Sequence, residues 1–364
     1  MPDFQKDLEA LNRIPAPLLR WYDAGARVLP WRSDPQPYYV WLSEIMLQQT
    51  RVEAATPYFE RFIAELPSIA DLAAAPEEQL LKLWEGLGYY NRVRNLQKAA
   101  QVVTDRYGGQ LPADFEALLA LPGIGRYSAG AIASIAFGLP VPAVDGNVLR
   151  VLSRVLESPE DIGREETKKA MGAALEQVLP RTRPGDFNQA LMELGAMVCL
   201  PNGAPRCGAC PLQDQCLAHR SGTTGSYPRK APKKARRMQE RTVFLLVRDG
   251  LVAVQKRPAS GLLRGLWELP GTDGFLSQDE ARSYLAGQGL FPTGPLRDAG
   301  KAKHIFTHVE WRMRGWAAPV QGEAPGLTFA APDRIFDELC LPSAFRAYTG
   351  QIKAFVKEFT DADS

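Results

Sequence analysis

At 364 residues, 45% hydrophobic and 23% charged, the chain is long enough for two domains, each with a core of its own. The N-terminus, MPDFQKDLEALNRIP, carries charges where a signal peptide needs an apolar run, and no apolar stretch approaches bilayer length, so a secreted or membrane-spanning protein is not expected. The net charge of +2 conceals a concentration of positive charge: residues 220–241 hold eight Lys or Arg against one Glu, a local net of +7 that leaves −5 for the rest.

Helix signals dominate the first part of the chain. Thr56-Pro57 offers an N-cap and first-turn proline ahead of YFERFIAEL, and Pro76 opens EEQLLKLWEGLG, which ends on glycines. QKAAQVVTDRYGG, DFEALLALPG, YSAGAIASIAFG, GNVLRVLSRVLE, TKKAMGAALEQVL and FNQALMELGAMVC each space apolar residues three and four apart. Residues 1–219 are therefore predicted to form an all-α domain. The basic stretch 220–240 lacks apolar periodicity and contains Gly, Ser, Thr and Pro; it reads as an exposed linker suited to a polyanion or, more simply, to solubility. Beyond it, TVFLLVRDG and LVAVQKRP joined by Asp249-Gly250 predict a hairpin, SQDEARSYLAGQG a helix and HIFTHVEWRMRGWAAPV further strands. Residues 241–364 are predicted to form a second, α+β domain.

Several groups carry chemistry. In LPGIGRYSAGAI, residues 121–132, a helix breaks at Pro122, turns through Gly123 and Gly125 and restarts; such a turn aims backbone N–H groups at a phosphate, or simply reverses the chain. Asp145 precedes an apolar-periodic helix, the position of an ordinary N-cap and also of a carboxylate kept ionised by N–H donors. Glu44 lies among Leu42, Ile45, Met46 and Leu47, either on the polar face of its helix or buried with a raised pKa; only the buried case gives a general acid at neutral pH. Paired, the two carboxylates match the arrangement that cleaves glycosidic bonds. Tyr89-Tyr90 beside Arg92 and Arg94 suits base stacking with phosphate contact, or covers a core.

Four of the five cysteines, Cys199, Cys207, Cys210 and Cys216, fall within eighteen residues at spacings x7, x2 and x5. In a cytoplasmic chain a disulfide framework is a poor account of them. They show one Cys-x-x-Cys where structural zinc sites usually show two, which leaves zinc and a four-cysteine iron-sulfur cluster as alternatives. Cys340 stands apart and reads as a buried apolar thiol.

WLSEIMLQQTRV, GLGYYNRVRNL, LPGIGRYSAGAI, VDGNVLRV and the cysteine segment occur in the order and spacing of the helix-hairpin-helix DNA glycosylases, and together they resemble the MutY family of adenine DNA glycosylases across the first domain. The resemblance implies removal of adenine mispaired with 8-oxoguanine, and also with guanine, in duplex DNA. It assigns Glu44 to protonation of adenine N7 and Asp145 to the sugar cation or a covalent intermediate, with Tyr127 and Asn147 completing the catalytic group. The wedge and 8-oxoguanine contacts fall to Gln49, Thr50, Leu87 and Tyr89, and the adenine pocket to Trp31, Arg32, Leu47, Gln189 and Asn147. The family's [4Fe–4S] spacing is x6, x2, x5, so the cysteines here imply that cofactor with one extra residue in a first interval containing Pro201 and Gly203; Arg206 and the basic linker would meet the DNA backbone.

Endonuclease III-like relatives carry a Schiff-base lysine where this chain has Tyr127, and a phenol cannot form the imine, so a monofunctional glycosylase is expected. The alternatives are an endonuclease III-like glycosylase and lyase acting on damaged pyrimidines, which Tyr127 disfavours, and a non-catalytic reader of damaged DNA. VAVQKRPASGLLRGLWELPG resembles the start of a Nudix domain, but the next helix offers Asp279 and Glu280 without the further paired glutamates that hold Mg²⁺, which implies a fold kept without hydrolysis. The MutT-like domain of the resembled family reads 8-oxoguanine with a Phe-Ser-His loop; here it is Phe306-Thr307-His308. His304 and His308 have no thiol or carboxylate cluster around them to suggest a metal. The expectation is a bacterial-type cytoplasmic monomer that acts on DNA at the nucleoid and has no membrane partner.

Overall fold

The computed structural model describes residues 7–232 and 235–361. It divides into two compact units, one formed by Met1–Ala75 with Arg94–Pro232 and the other by Pro76–Val93 with Lys233–Ser364. Residues 76–93, read from sequence as part of the helical domain, thus group with the second unit. Among the described residues no helix is long and apolar enough to cross a membrane.

The first unit is helical. Pro37–Leu47 is buried over most of its length, including Trp41, Leu42, Ser43, Glu44, Ile45 and Met46. The helix expected to start at Pro57 begins instead at Val52 and runs to Glu65 with Pro57 inside it. The Thr56 hydroxyl donates to the Val52 carbonyl at 2.9 Å, so it bonds back into the preceding turn and caps nothing. The glycine hairpin forms as predicted between Phe115–Leu119 and Arg126–Phe137. Gly123 sits at φ +77°, and a Cβ there would stand 2.6 Å from that of Asn95, so only glycine fits; Gly125 is extended and unobstructed.

Two further helices, Gly146–Val155 and Pro184–Met197, share the main core of this unit, with Val148, Leu152, Phe187, Leu191 and Leu194 buried between them and their neighbours. Their close approach depends on Gly195, where a Cβ would lie 2.5 Å from the Cβ of Asn147. Part of the basic segment is fastened to this unit. The backbone at Arg229 forms an isolated parallel β-bridge with that at Asp161, the Ile162 N–H donating to the Arg229 carbonyl at 3.1 Å, and the Ala231 N–H donates to the Asp161 carboxylate at 3.1 Å. Lys233 and Lys234 lie outside the described residues, and a strand starts at Arg237, inside the span read as linker. Arg229, Lys230, Arg236 and Arg237 are exposed.

The second unit is built on an eight-stranded mixed sheet, with Trp267–Glu268, Leu251–Lys256, Arg237–Arg248, Val309–Gly322 and Leu290–Pro292 in spatial order. Arg237–Arg248 runs parallel to Val309–Gly322 and antiparallel to Leu251–Lys256. The hairpin at Asp249-Gly250 has both residues at positive φ, +51° and +73°, as a two-residue turn of this kind requires. Val243, Leu245 and Val247 enter one core with Ile335, Ile352 and Phe359, while Phe244 and Leu246 enter another with Ala281 and Leu285. A strand covered on both faces reads as a continuous apolar run, which is why TVFLLV shows no alternation.

Candidate active site

Glu44 is 6% exposed, and burial is the main cause that pushes its carboxyl up to about 7. The Tyr127 hydroxyl donates to Glu44 Oε2 at 2.5 Å and pulls in the opposite direction; Asp145 raises the value further and Arg32 lowers it. Tyr127 also contacts the Met192 sulfur at 3.2 Å, which ties the pair to the Pro184–Met197 helix. Of the two sequence alternatives for Glu44, the buried one is the one found.

Asp145 is the N-cap of Gly146–Val155, accepting from the Asn147 N–H at 2.9 Å and the Val148 N–H at 2.8 Å. Its second oxygen accepts from the Asn147 amide at 2.7 Å. Burial raises this carboxyl as well, but those donors and the Arg150 charge oppose the rise. The capping and chemical readings of Asp145 therefore coincide, because the bonds that cap the helix also favour the anion. The outcome is a protonated-capable acid and a donor-bound carboxylate in mutual electrostatic range, able to protonate a leaving group and to stabilise a cation.

Arg150 connects this pair to the cysteines. It donates to Asn147 Oδ1 at 2.8 Å, to the Gly195 carbonyl at 2.7 Å and to the Cys199 carbonyl at 2.7 Å. Arg154, one turn on, reaches Cys199 Sγ at 3.2 Å and the Leu200 carbonyl at 2.9 Å. Cys199, Cys207, Cys210 and Cys216 line one pocket with Arg154. Burial raises the thiols of Cys207, Cys210 and Cys216, so bound positive charge is needed to hold them as thiolates. Among the described residues no three His, Cys, Asp or Glu side chains gather as one metal ion requires. Four thiols lining one pocket are the donor set that a four-iron cluster would take. The longer first interval turns at Gly203, φ +73°, and is closed by the Arg206 N–H donating to the Val198 carbonyl at 2.9 Å.

The other sequence-assigned residues fall into both units. In the first, Trp31 is buried edge-on to Phe59 at 5.1 Å, while Leu47, Thr50 and Gln189 are half-buried. Gln49 is exposed at φ +61°. In the second, Tyr89 is 50% exposed at φ +49°, and its hydroxyl lies 3.1 Å from that of Thr307. Thr307 and His308 are exposed at the turn between Arg297–Ile305 and Val309–Gly322. Leu87, assigned to the wedge, is buried at 8% exposure, so Gln49 and Tyr89 are the side chains presented to solvent. Five non-glycine residues among those described have positive φ, and these two are among them; nothing in the sequence signals that strain.

In the second unit the motif glutamate Glu268 is 3% exposed, accepts from Arg257 at 2.5 Å and Gln255 at 3.0 Å, and lies 3.7 Å from Arg241. Both arginines stack over Trp311, on which Phe306 packs at 4.9 Å. Glu280 closes a capping box with Ser277. Each of these glutamates is engaged in holding the fold. Cys340 is buried against Tyr90.

Sequence reasoning passed over Arg150, Arg154 and Glu193. Their signal is charge on an apolar face: Arg150 and Arg154 are spaced four apart in VLRVLSRVL, and Glu193 interrupts ALMELGAM. All three are buried.

A family model described as HhH-GPD superfamily base excision DNA repair protein matches residues 42–178, and a NUDIX domain model matches 242–351. The chain is 34% identical over 414 residues to the human adenine DNA glycosylase, covering 95% of this chain and 76% of that protein. It is 37% identical to the rat adenine DNA glycosylase, with 85% and 71% covered, and 34% identical to that of Buchnera aphidicola subsp. Schizaphis graminum, with 70% and 74% covered. Among solved structures, a thermostable thymine-DNA glycosylase matches with TM-score 0.53 at 27% identity, over 59% of this chain and 98% of that one. A trapped endonuclease III–DNA covalent intermediate matches with TM-score 0.50 at 24% identity, over 61% and 99%, a likeness of fold.

Proposed function

Because the chain belongs to the adenine DNA glycosylases, enzymes of base excision repair that hydrolyse an N-glycosidic bond, we propose that its substrate is adenine paired with 8-oxoguanine, and more weakly with guanine, in duplex DNA. The observation that carries the mechanism is the raised carboxyl of Glu44, about 7, beside an Asp145 held by three donors. Glu44 gives its proton to N7 of the flipped adenine, so that the electrons of the breaking C1′–N9 bond leave with a neutral base. Asp145 and its donors stabilise the positive charge left on the sugar, and water adds at C1′, its proton passing to the carboxylate that Glu44 became in the first step. Tyr127 orients Glu44 and has no amine for a lyase step. Trp31, Arg32, Leu47, Asn147 and Gln189 enclose the base, Gln49 and Thr50 brace the gap, and Tyr89 and Thr307 with His308 read the opposing 8-oxoguanine. Gly123 and Gly125 present N–H groups to a phosphate.

Cys199, Cys207, Cys210 and Cys216 hold a [4Fe–4S] cluster in this reading. When bound it fixes the 199–216 loop; breaking the glycosidic bond involves no electron transfer. Protein purified without added metal is expected to be brown with four irons per chain, and colourless protein containing zinc would overturn the assignment.

The test of the whole is a duplex with one adenine opposite 8-oxoguanine, guanine or thymine, assayed for strand breaks before and after hot alkali. Breaks that appear after alkali only, fastest opposite 8-oxoguanine, are the expected result. Equal rates against all three partners would refute the mispair specificity, and breaks without alkali would refute the monofunctional mechanism.

A further inference from the structure

Glu193 sits in the Pro184–Met197 helix with a side chain wholly shielded from solvent. A buried glutamate on an apolar helix face is costly unless its charge is answered. Two arginines answer it. The Arg27 backbone N–H donates to Oε1 at 2.9 Å, and the Arg27 guanidinium lies 3.3 Å from the same oxygen. The Arg32 guanidinium contacts Oε2, and it also donates to the Arg27 carbonyl at 3.2 Å. The arrangement bolts the Pro30–Ser33 turn of helix, which carries Trp31 and Arg32, onto the Pro184–Met197 helix.

That helix faces the acid from a second direction, since Met192, next to Glu193, contacts the Tyr127 hydroxyl that binds Glu44. The charged and titratable groups acting on Glu44 are Tyr127 from Arg126–Phe137, Asp145 from the cap of Gly146–Val155 and Arg32 from Pro30–Ser33. From the Val52–Glu65 helix, Glu53 joins the cluster through Arg27 at 3.8 Å, and Tyr22 of Pro15–Gly25 lies 5.5 Å beneath Arg32 and senses Glu193. We propose that Glu193 is a positioning residue that pins Arg32 in the pocket and offsets its charge, so that Glu44 keeps the proton it delivers. This rests on Glu44 being the general acid.

The physical argument is one of sign. Arg32 favours the ionised form of Glu44. A carboxylate in contact with that guanidinium cancels part of its field; without the carboxylate the whole of it acts on Glu44, whose proton is then lost at lower pH. Cleavage by a protonated acid is full below the pKa of the acid and falls as pH rises through it, so the descending limb of the rate profile reports this directly.

The experiment is single-turnover excision of adenine opposite 8-oxoguanine between pH 5.5 and 9 for the full-length protein, Glu193→Gln and Arg32→Gln, with circular dichroism as a folding check. Glu193→Gln is expected to move the descending limb down by about one pH unit, leaving a rate at pH 8 about tenfold lower than the shift-free value. Arg32→Gln, which removes the cation itself, is expected to move the limb upward whatever else it does to the plateau. A uniform loss with the limb unmoved in both variants would overturn the proposal and leave Glu193 a packing residue. A limb near pH 7 that persists in Glu44→Gln would instead refute the general-acid reading, and the proposal with it.

Discussion

The helical unit and the sheet unit each bury a motif glutamate, and the two sit in opposite electrostatic surroundings. Glu44 meets the Tyr127 hydroxyl at 2.5 Å and the field of the Asp145 carboxyl, and burial pushes it to about 7. Glu268 meets two guanidinium groups, from Arg257 at 2.5 Å and Arg241 at 3.7 Å, which hold its charge in a stack over Trp311. Burial alone therefore does not make a reactive carboxyl. What decides is whether the neighbours supply compensating charge, and an acid that must give up a proton needs that compensation withheld. Glu193 is the intermediate case, a charge-paired glutamate whose partner Arg32 also acts on Glu44.

The sharpest way to break this contrast is at Glu44. Glu44→Gln removes the proton donor without changing the shape of the pocket, and excision should fall by about a thousandfold, within the usual range for a general acid. Binding to the mispaired duplex, followed by gel shift at fixed salt, should be retained. Normal excision by this variant would remove the distinction between the two glutamates altogether.

Glu268→Gln probes the other side. Removing one partner from a buried pair leaves Arg257 uncompensated and Arg241 with Asp273 alone, and the second unit should lose about 3 kcal/mol of stability by denaturant melting. The descending limb of the excision profile should stay where it is in whatever fraction remains folded. A shift of that limb would mean that the charge of Glu268 reaches the chemistry, which nothing in its contacts suggests.

Tyr127→Phe is the finer test of how Glu44 is tuned. The hydroxyl donates to the carboxylate and so favours the ionised form; without it the carboxyl should titrate above its present value of about 7. The limb is then expected to move to higher pH while the plateau drops about tenfold through lost orientation. That shift opposes the one expected of Glu193→Gln, so the two variants separate a hydrogen bond from a through-space charge effect.

Much of this contrast was legible in the chain, and the remainder was hidden for identifiable reasons. The glycine hairpin, the Asp145 cap and the Asp249-Gly250 turn are local signals, each set by a few neighbouring residues, and they form as read. The Val52 start of the helix containing Pro57 was missed because an inviting Thr-Pro cap was overridden by the apolar face on which Ala55, Phe59 and Phe62 are buried. Whether Glu44 was exposed or buried was undecidable locally, since its helix is covered on nearly every side by partners distant in sequence. Glu193 and Arg150 share that limitation. Both ion-pair partners of Glu193 lie 161–166 residues away, and Arg150 reaches carbonyls 45–49 residues away, so these roles exist only in the folded chain. The positive φ of Gln49 and Tyr89 is likewise imposed by context, because neither residue type favours it.

The exposed hydroxyl pair of the second unit completes the contrast at its weak end. Tyr89 and Thr307 meet at 3.1 Å through two exposed hydroxyls. A neutral hydrogen bond of this kind contributes about 0.5–1 kcal/mol. Thr307→Val keeps the shape and removes the bond, and should slow excision opposite 8-oxoguanine by about threefold, while excision opposite guanine is unchanged. Tyr89→Phe should reproduce the loss, and the double variant should be no worse than either alone, because one contact has been removed from its two ends. Fully additive losses would mean that the two side chains act separately on the DNA, and that their contact in the free protein carries no information about how the opposing base is read.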